Sequence, residues 1–205
     1  MDAATELIQG SMEWLCARAG KVTASRIADV LDRTKKGEDS AKRASYKWQM
    51  VVETLTGRPA DAVFVNEAMR WGTETEPFAR QQYGDVELVG MVMHPTISRG
   101  AASPDGLVGE DGLLEIKCPT SATHLAYLRD GVVPEKYKPQ MAWQMACTGR
   151  QWCDFMSYDP RLPLEFDRLI VRYHRDDAYI AMIEAEVTQY LSEVDQIISD
   201  LKDRF

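Results

Sequence analysis

Residues 103–119, S-P-D-G-L-V-G-E-D-G-L-L-E-I-K-C-P, combine two turn signals with a short apolar strand that carries charge. The Pro-Asp-Gly bend and the Gly-rich acidic turn after it predict a hairpin of two short strands. Alternate side chains of a strand share a face, so Glu115 and Lys117 point one way while Ile116 points into the core. A charged pair on an otherwise buried strand requires a structural or chemical reason.

The register of this hairpin decides whether a second acid joins the pair. If the two strands pair antiparallel through a connection of odd length, Asp105 lies opposite Glu115 on the same face. An even-length connection would place Asp105 on the wrong side unless a bulge intervened. The odd register therefore predicts two carboxylates close together.

Two carboxylates in this arrangement would offer hard oxygen ligands suited to Mg²⁺ or Mn²⁺, and the carbonyl of Ile116 could add a further ligand. Lys117 beside them could orient or help to deprotonate an attacking water and offset charge on a phosphate. The pattern indicates metal-assisted phosphodiester hydrolysis. An Asp-Gly turn with an exposed Glu and Lys on an edge hairpin explains the same residues, because D-x(n)-E-x-K also occurs by chance.

The length of 205 residues predicts one domain over residues 1–205 with a sizeable core. The sequence has neither a long apolar run nor the basic start and apolar core of a signal peptide, so we expect a cytoplasmic protein without a membrane span. Four scattered cysteines without a C-x-x-C pair argue against a zinc ribbon or an iron–sulfur cluster. The net charge of −8 disfavours nucleic-acid binding unless the positive groups are gathered in one groove or channel.

Hydrophobic spacing and turn residues predict the order of helices and strands along the chain. Helices are expected near residues 11–19, 24–32, 46–56, 66–83, 121–129, 134–148 and 176–204, and strands near residues 85–93, 96–102, 107–108, 113–117, 151–158 and 164–173. Helices at both ends around a mixed sheet of about five strands predict an α/β or α+β fold. The side chains expected to face inward from the third helix are Trp48, Val51, Val52 and Leu55.

Two predicted helix starts carry candidate site residues. Thr23 or Ser25 is expected to cap the second helix, and these hydroxyls together with Arg18 and the free helix amides could hold an anion. A capped helix-turn-helix explains the same residues without a ligand.

Pro77 is tolerated only in a first helical turn, so a break or kink is expected near residues 72–77. Thr73 and Glu76 have the spacing of a capping box. Glu76 is then either a cap or a third acid directed at the metals.

Five segments occur in order along the chain: W-L-C-A-R-A-G-K-V-T-A-S-R, R-W-G-T-E-T-E, S-P-D-G-L-V, L-L-E-I-K-C-P and Y-K-P-Q-M-A-W-Q-M. Together they resemble the YqaJ-type viral recombinase family, which includes phage lambda exonuclease, over nearly the whole chain. The resemblance implies a restriction-endonuclease-like core with two Mg²⁺ ions, for which Mn²⁺ can substitute. It also implies 5′-to-3′ digestion of one strand of linear double-stranded DNA, which leaves 3′ tails for recombination by strand annealing.

The resemblance also implies roles for residues at the matching positions. Asp105, Glu115 and the Ile116 carbonyl would hold metal, Lys117 would position the nucleophile, and Glu76 would assist directly or through water. The residues expected to grip the 5′ phosphate are Arg18, Ser25 and Ser103.

Gln140 matches a glutamine of the trailing helix in the family. A second family glutamine falls here on Ala142, and Gln144 follows two positions later. Gln140 and Gln144 share one helix face with Tyr137, because each lies one turn from the next. Which of the two glutamines contacts the active site therefore stays open.

The family also implies a ring-shaped homotrimer that threads DNA through its channel, and a single-strand annealing protein as partner. Such a ring reconciles the net charge of −8 with DNA binding, because acidic groups can lie outside and basic groups inside. Two alternatives are a sequence- or structure-specific endonuclease of the same fold and a non-catalytic module that binds DNA ends. The intact Asp105, Glu115 and Lys117 argue against the non-catalytic module.

Overall fold

A computed structural model describes residues 11–60 and 66–205 of the chain. Its helices are α1 (Met12–Arg18), α2 (Ile27–Leu31), α3 (Ala41–Thr56), α4 (Glu67–Tyr83), α5 (Ser121–Asp130), α6 (Lys138–Thr148) and α7 (Asp177–Lys202). Its strands are β1 (Val22–Thr23), β2 (Val92–Met93), β3 (Gly100–Ala102), β4 (Gly106–Val108), β5 (Gly112–Lys117), β6 (Trp152–Tyr158) and β7 (Arg168–His174). Short 3₁₀ helices span Ala24–Arg26, Glu135–Tyr137 and Leu164–Phe166.

The strands form two small sheets where the sequence predicts one sheet of about five strands. The larger sheet has the order β4-β5-β6-β7, and the smaller sheet has the order β1-β3-β2. Pro104 lies between β3 and β4, where the chain passes from one sheet to the other, and it has no amide hydrogen to continue a ladder. The mixed α/β class is confirmed, because β5 pairs antiparallel with β4 and parallel with β6.

Strand β5 lies inside the larger sheet and is packed on both faces. Leu113 belongs to the main core with α6 and α7, whereas Leu114 and Ile116 pack in a second cluster with Ala79 of α4. The parallel pairing with β6 requires a crossover, which contains α5 and α6. This connection places α6 over the face of β5 from which Glu115 points.

The orientation of α3 differs from the prediction. Val51 is buried as expected, but Trp48 and Leu55 are 56% and 54% exposed, and Val52 is also exposed. The inward face instead contains Arg43, which is fully buried.

Two polar side chains occupy the inward face of α3 because each is fully paired. Arg43 forms ion pairs with Asp39 at 2.7 Å and with Glu193 of α7 at 3.2 Å. Glu53 accepts hydrogen bonds from the Gly20 amide at 2.9 Å and from Gln49 at 2.8 Å. A buried charge is tolerated when it is paired and hydrogen-bonded. The polar character of Arg43 and Glu53 therefore does not indicate in the sequence that their face of α3 points inward.

The predicted break near residues 72–77 is wrong, because α4 is continuous through Pro77. The helix is capped by Asn66, whose side chain accepts a hydrogen bond from the Met69 amide at 2.8 Å. Thr73 is therefore an interior residue, and its hydroxyl donates to the carbonyl of Met69 at 3.1 Å. Glu76 is not part of a capping box.

Three strand predictions were too long. Residues 85–93 and 96–102 contribute only β2 and β3, and β7 begins at Arg168 because residues 164–166 form a 3₁₀ turn.

None of the helices in the described ranges has the length and apolar character needed to cross a membrane.

Candidate active site

One pocket, with a volume of about 190 Å³, contains every residue that the sequence analysis assigned to the metal site or to the terminal phosphate. It is lined by Trp14, Arg18, Ala24, Ser25, Glu76, Ser103, Asp105, Glu115, Ile116, Lys117 and Gln140. These residues come from α1, the turn after β1, α4, the β3–β4 connection, β5 and α6. Folding therefore brings together residues that are spread over more than half of the chain.

The register of the β4–β5 hairpin is the one that pairs the two acids. Gly106 pairs with Leu114 and Val108 with Gly112, so the connection is residues 109–111 and has odd length. Asp105 consequently lies opposite Glu115, as predicted. The amide of Ile116 donates a 2.6 Å hydrogen bond to Oδ2 of Asp105, which fixes this carboxylate across the hairpin.

The Glu115 carboxylate is held on both oxygens by glutamines from α6. Nε2 of Gln140 donates to Oε1 at 2.6 Å, and Nε2 of Gln144 donates to Oε2 at 2.6 Å. Lys117 forms an ion pair with the same carboxylate. The open choice between the two glutamines is therefore resolved, since both contact Glu115.

Asp105 and Lys117 in the pocket have perturbed pKa values. Burial raises the pKa of Asp105 well above its usual value, and the nearby carboxylates of Glu115 and Glu76 raise it further. Burial alone would lower the pKa of Lys117, but the carboxylates of Glu115 and Asp105 outweigh it and raise that pKa. Lys117 is therefore a stable cation in the metal-free site.

The donor set fits a divalent metal ion. Asp105 forms no ion pair within residues 11–60 and 66–205, and its carboxylate faces that of Glu115. A cation between them would relieve the repulsion that raises the pKa of Asp105. In the described parts of the chain, no three His, Cys, Asp or Glu side chains are grouped closely enough to hold a metal. Asp105, Glu115 and Ile116 line the same pocket, and carboxylate and main-chain carbonyl oxygens suit Mg²⁺.

A second part of the pocket is positively charged. The guanidinium of Arg18 stacks on the ring of Trp14 at 4.0 Å, and its NH2 group donates to Thr23 at 2.9 Å and to Ser25 at 3.5 Å. Thr23 and Ser25 do not cap a helix as predicted, because residues 24–26 form a 3₁₀ turn and α2 begins at Ile27. Their hydroxyls accept from Arg18 instead.

The positive part of the pocket has unsatisfied binding capacity. Burial lowers the pKa of Arg18, and no carboxylate in residues 11–60 or 66–205 forms an ion pair with it. The Oγ atom of Ser103 is buried and has no hydrogen-bond partner within the same residues. A buried polar atom without a partner is costly and indicates a missing ligand or water. This part of the pocket suits an anion.

Residues 13–151 match the sequence model of the YqaJ-like viral recombinase domain. The chain belongs to the YqaJ-like viral recombinase family. The crystal structure of an alkaline exonuclease, LHK-Exo from Laribacter hongkongensis, is 48% identical and covers 95% of this chain and 97% of that chain, with a TM-score of 0.86. The structure of LHK-Exo in complex with dAMP matches with the same identity and coverage and a TM-score of 0.87.

A more distant structural match is a phage-related exonuclease from Haemophilus somnus 129PT. Its structure is 16% identical, covers 88% of this chain and 96% of that chain, and has a TM-score of 0.68, so it supports the fold alone. A search of curated proteins gave no match. The family match and the similarity to LHK-Exo together support a nuclease of the YqaJ type.

Two residues that contact lining residues of the YqaJ-type pocket, Arg80 and Trp14, were not assigned to the site in the sequence analysis. Arg80 donates from NH2 to Glu76 at 2.5 Å and from Nε to the main-chain carbonyl of Asp105 at 2.9 Å. Trp14 supports Arg18 through the ring contact. Glu76 and Arg80 are four residues apart on α4, and Trp14 and Arg18 are four residues apart on α1. This i, i+4 spacing was the sequence signal that could have identified both contacts.

Proposed function

We propose that this protein is a single-domain, metal-dependent DNA exonuclease. It digests one strand of linear double-stranded DNA in the 5′-to-3′ direction and leaves 3′ single-stranded tails for recombination by strand annealing. The observation that carries the proposal is the pocket itself, in which the Asp105–Glu115 acid pair lies in one cavity with Arg18, a cation that has no ion-pair partner in residues 11–60 and 66–205. Hydrolysis and capture of a terminal phosphate would then occur at the same place.

The acid pair and the Ile116 carbonyl would hold two Mg²⁺ ions, with Mn²⁺ as a substitute. When bound, such ions polarise the scissile phosphate and lower the pKa of a coordinated water. Gln140 and Gln144 hold the Glu115 carboxylate in one orientation, so its ligand geometry does not have to be organised during the reaction.

Lys117 and Glu76 would act on the attacking water. The Lys117 ammonium lies beside Glu115 and is stabilised in the charged form, so it can orient the water and offset negative charge on the phosphate. Its Nζ also lies 5.3 Å from the ring centre of Tyr137, which limits its positions. Glu76 lines the pocket from α4 and would contribute through water.

A linear duplex and a closed circular duplex of the same sequence test the reaction class. We expect Mg²⁺-dependent release of nucleotides from the linear DNA and no cleavage of the closed circle, because the positive part of the pocket is suited to a terminal phosphate. Gel analysis of both substrates over time would check this. Cleavage of the circle would favour an endonuclease of the same fold, and inactivity on both would favour a non-catalytic end-binding module.

The end-binding part of the pocket predicts a preference for 5′-phosphorylated DNA. Arg18 provides a planar fork of donors for two phosphate oxygens, and Ser25 and Ser103 provide hydroxyls. We expect Arg18→Ala to lower the rate on phosphorylated ends by about ten- to a hundredfold, since one charge-assisted bond is worth about 1.5–3 kcal/mol. The rate on 5′-hydroxyl ends should change much less.

The measurement is the ratio of initial rates on 5′-phosphoryl and 5′-hydroxyl duplexes. Arg26→Ala is the matched control, because Arg26 lies in the same segment but pairs with Asp29 at 2.7 Å and does not line the pocket. An unchanged ratio in Arg18→Ala would exclude the proposed phosphate contact.

The resemblance to the family also supports a homotrimeric ring around DNA, a single-strand annealing protein as partner, and activity in the cytoplasm of a bacterial or phage-infected cell. A ring would allow a protein of net charge −8 to surround DNA with its basic groups. We expect light scattering to give three times the chain mass of 23.2 kDa at micromolar concentration. A stable monomer under these conditions would contradict the ring.

A further inference from the structure

Arg80 connects α4 to the acid pair through two different contacts. Its NH2 group donates to Oε1 of Glu76 one helical turn earlier, and its Nε donates to the main-chain carbonyl of Asp105 at 2.9 Å. Both side chains of the Arg80–Glu76 pair are largely buried. The guanidinium therefore has a fixed position between the helix and the start of β4.

The three acids of the pocket differ in their partners. Glu115 is held by Lys117, Gln140 and Gln144. Glu76 is held on Oε1 by Arg80, and Oε2 has no donor within residues 11–60 and 66–205. Asp105 alone has no cationic partner there.

Contact with Arg80 limits what Glu76 can do. The hydrogen bond from Arg80 holds Oε1 of Glu76 on the α4 side, and the positive charge of Arg80 opposes the approach of a cation to this carboxylate. The second contact, to the Asp105 carbonyl, keeps Arg80 from moving away with Glu76. Glu76 is thus directed at the pocket through its free Oε2 atom.

We propose that Arg80 is a positioning residue that keeps Glu76 from becoming a direct metal ligand and leaves it to act on a metal-bound water. The inference rests on the proposed metal-dependent function. Without Arg80, Glu76 is released towards the acid pair and one positive charge beside Glu76 and Asp105 is lost. Metal binding then becomes tighter while the reaction becomes slower.

The test is titration calorimetry of the metal-free protein with Mn²⁺, combined with cleavage rates at saturating Mn²⁺. We expect Arg80→Met to bind Mn²⁺ about tenfold more tightly, because a nearby cation is removed and a carboxylate is released. We expect its maximal rate to fall by about ten- to a hundredfold, because the water is no longer oriented. A merely structural role would not tighten metal binding.

The same substitution in a Glu76→Gln protein separates the release of the Glu76 carboxylate from the loss of the Arg80 charge. In Glu76→Gln, the added Arg80→Met change should alter Mn²⁺ affinity by less than about threefold, because only the loss of the cation remains and no carboxylate can be released. An equal gain in Mn²⁺ affinity in the wild-type and Glu76→Gln backgrounds would overturn the proposal. Unchanged or weaker Mn²⁺ binding in a folded Arg80→Met protein would also overturn it. Arg80→Gln, which also lacks the charge, is used in the same way if Arg80→Met does not fold.

The matched control is Arg168→Met. Arg168 also braces α4, through the Gln82 carbonyl at 3.2 Å, but it lies outside the pocket. Its loss should lower thermal stability without changing Mn²⁺ affinity, and tighter binding in this variant would count against a specific effect of Arg80. If the wild-type protein binds no Mn²⁺, the proposed metal-dependent function fails, independently of Arg80.

Discussion

Asp105→Asn and Glu115→Gln are expected to lower metal-dependent cleavage by about a thousandfold or more, since a bound metal ion contributes several kcal/mol to the transition state. Each change removes one of the two carboxylates of the Asp105–Glu115 pair. The fold should persist, because both substitutions keep the shape of the side chain. In Asp105→Asn, the side-chain amide oxygen can still accept the hydrogen bond from the Ile116 amide, which measures 2.6 Å in the unchanged protein.

The two variants are compared with wild type by cleavage rate, Mn²⁺ affinity and thermal midpoint. Glu110→Gln is the matched control, because Glu110 is an exposed acid in the turn of the same hairpin and does not line the pocket. It should keep full activity. A Glu115→Gln protein with wild-type cleavage would refute the acid pair as the metal site.

Lys117→Met should lower the rate by about a hundred- to a thousandfold, a loss typical of removing one electrostatic contact to the developing charge. The apolar side chain keeps nearly the length of lysine but cannot orient water or offset charge on the phosphate. Mn²⁺ binding should be retained or strengthened, because the ligands remain and a neighbouring cation is lost. Loss of rate with intact metal binding distinguishes Lys117 from the ligands.

Lys136→Met is the matched control for this experiment. Lys136 lies 4.8 Å from the ring centre of Tyr137, the ring that Lys117 also approaches, but it does not line the pocket. Its replacement tests whether the cleavage rate depends on any lysine beside the Tyr137 ring or on Lys117 alone. Nearly equal rates for Lys117→Met and wild type would remove Lys117 from the mechanism.

The site was predictable where its geometry is local. The pairing of Asp105 with Glu115 follows from strand alternation and from a short connection of odd length, both of which are visible in the sequence. The common face of Gln140 and Gln144 follows from helical spacing. That both glutamines contact Glu115 depends on how α6 crosses the sheet, and local patterns carry no such information.

The errors have one distant cause and two local ones. The inward position of Arg43 depends on Glu193, which follows 150 residues later, so the periodicity of α3 alone favoured the wrong face. The hydroxyls of Thr23 and Ser25 accept from the Arg18 guanidinium, five and seven residues earlier, and so do not cap the backbone of the helix that follows them. Pro77 was assigned to a break because Asn66 was not recognised as the cap of the same helix.

The crossover between β5 and β6 has a consequence for the synthesis of this protein. When Glu115 has just left the ribosome, Gln140, 25 residues later, has not yet emerged. The parallel partner strand of β5 has not emerged either. Because domains generally fold as units, an incomplete chain has neither the fixed carboxylate nor the pocket. The pocket would form only after α6 and β6 have left the ribosome, so under the proposed function shorter chains would not cleave DNA.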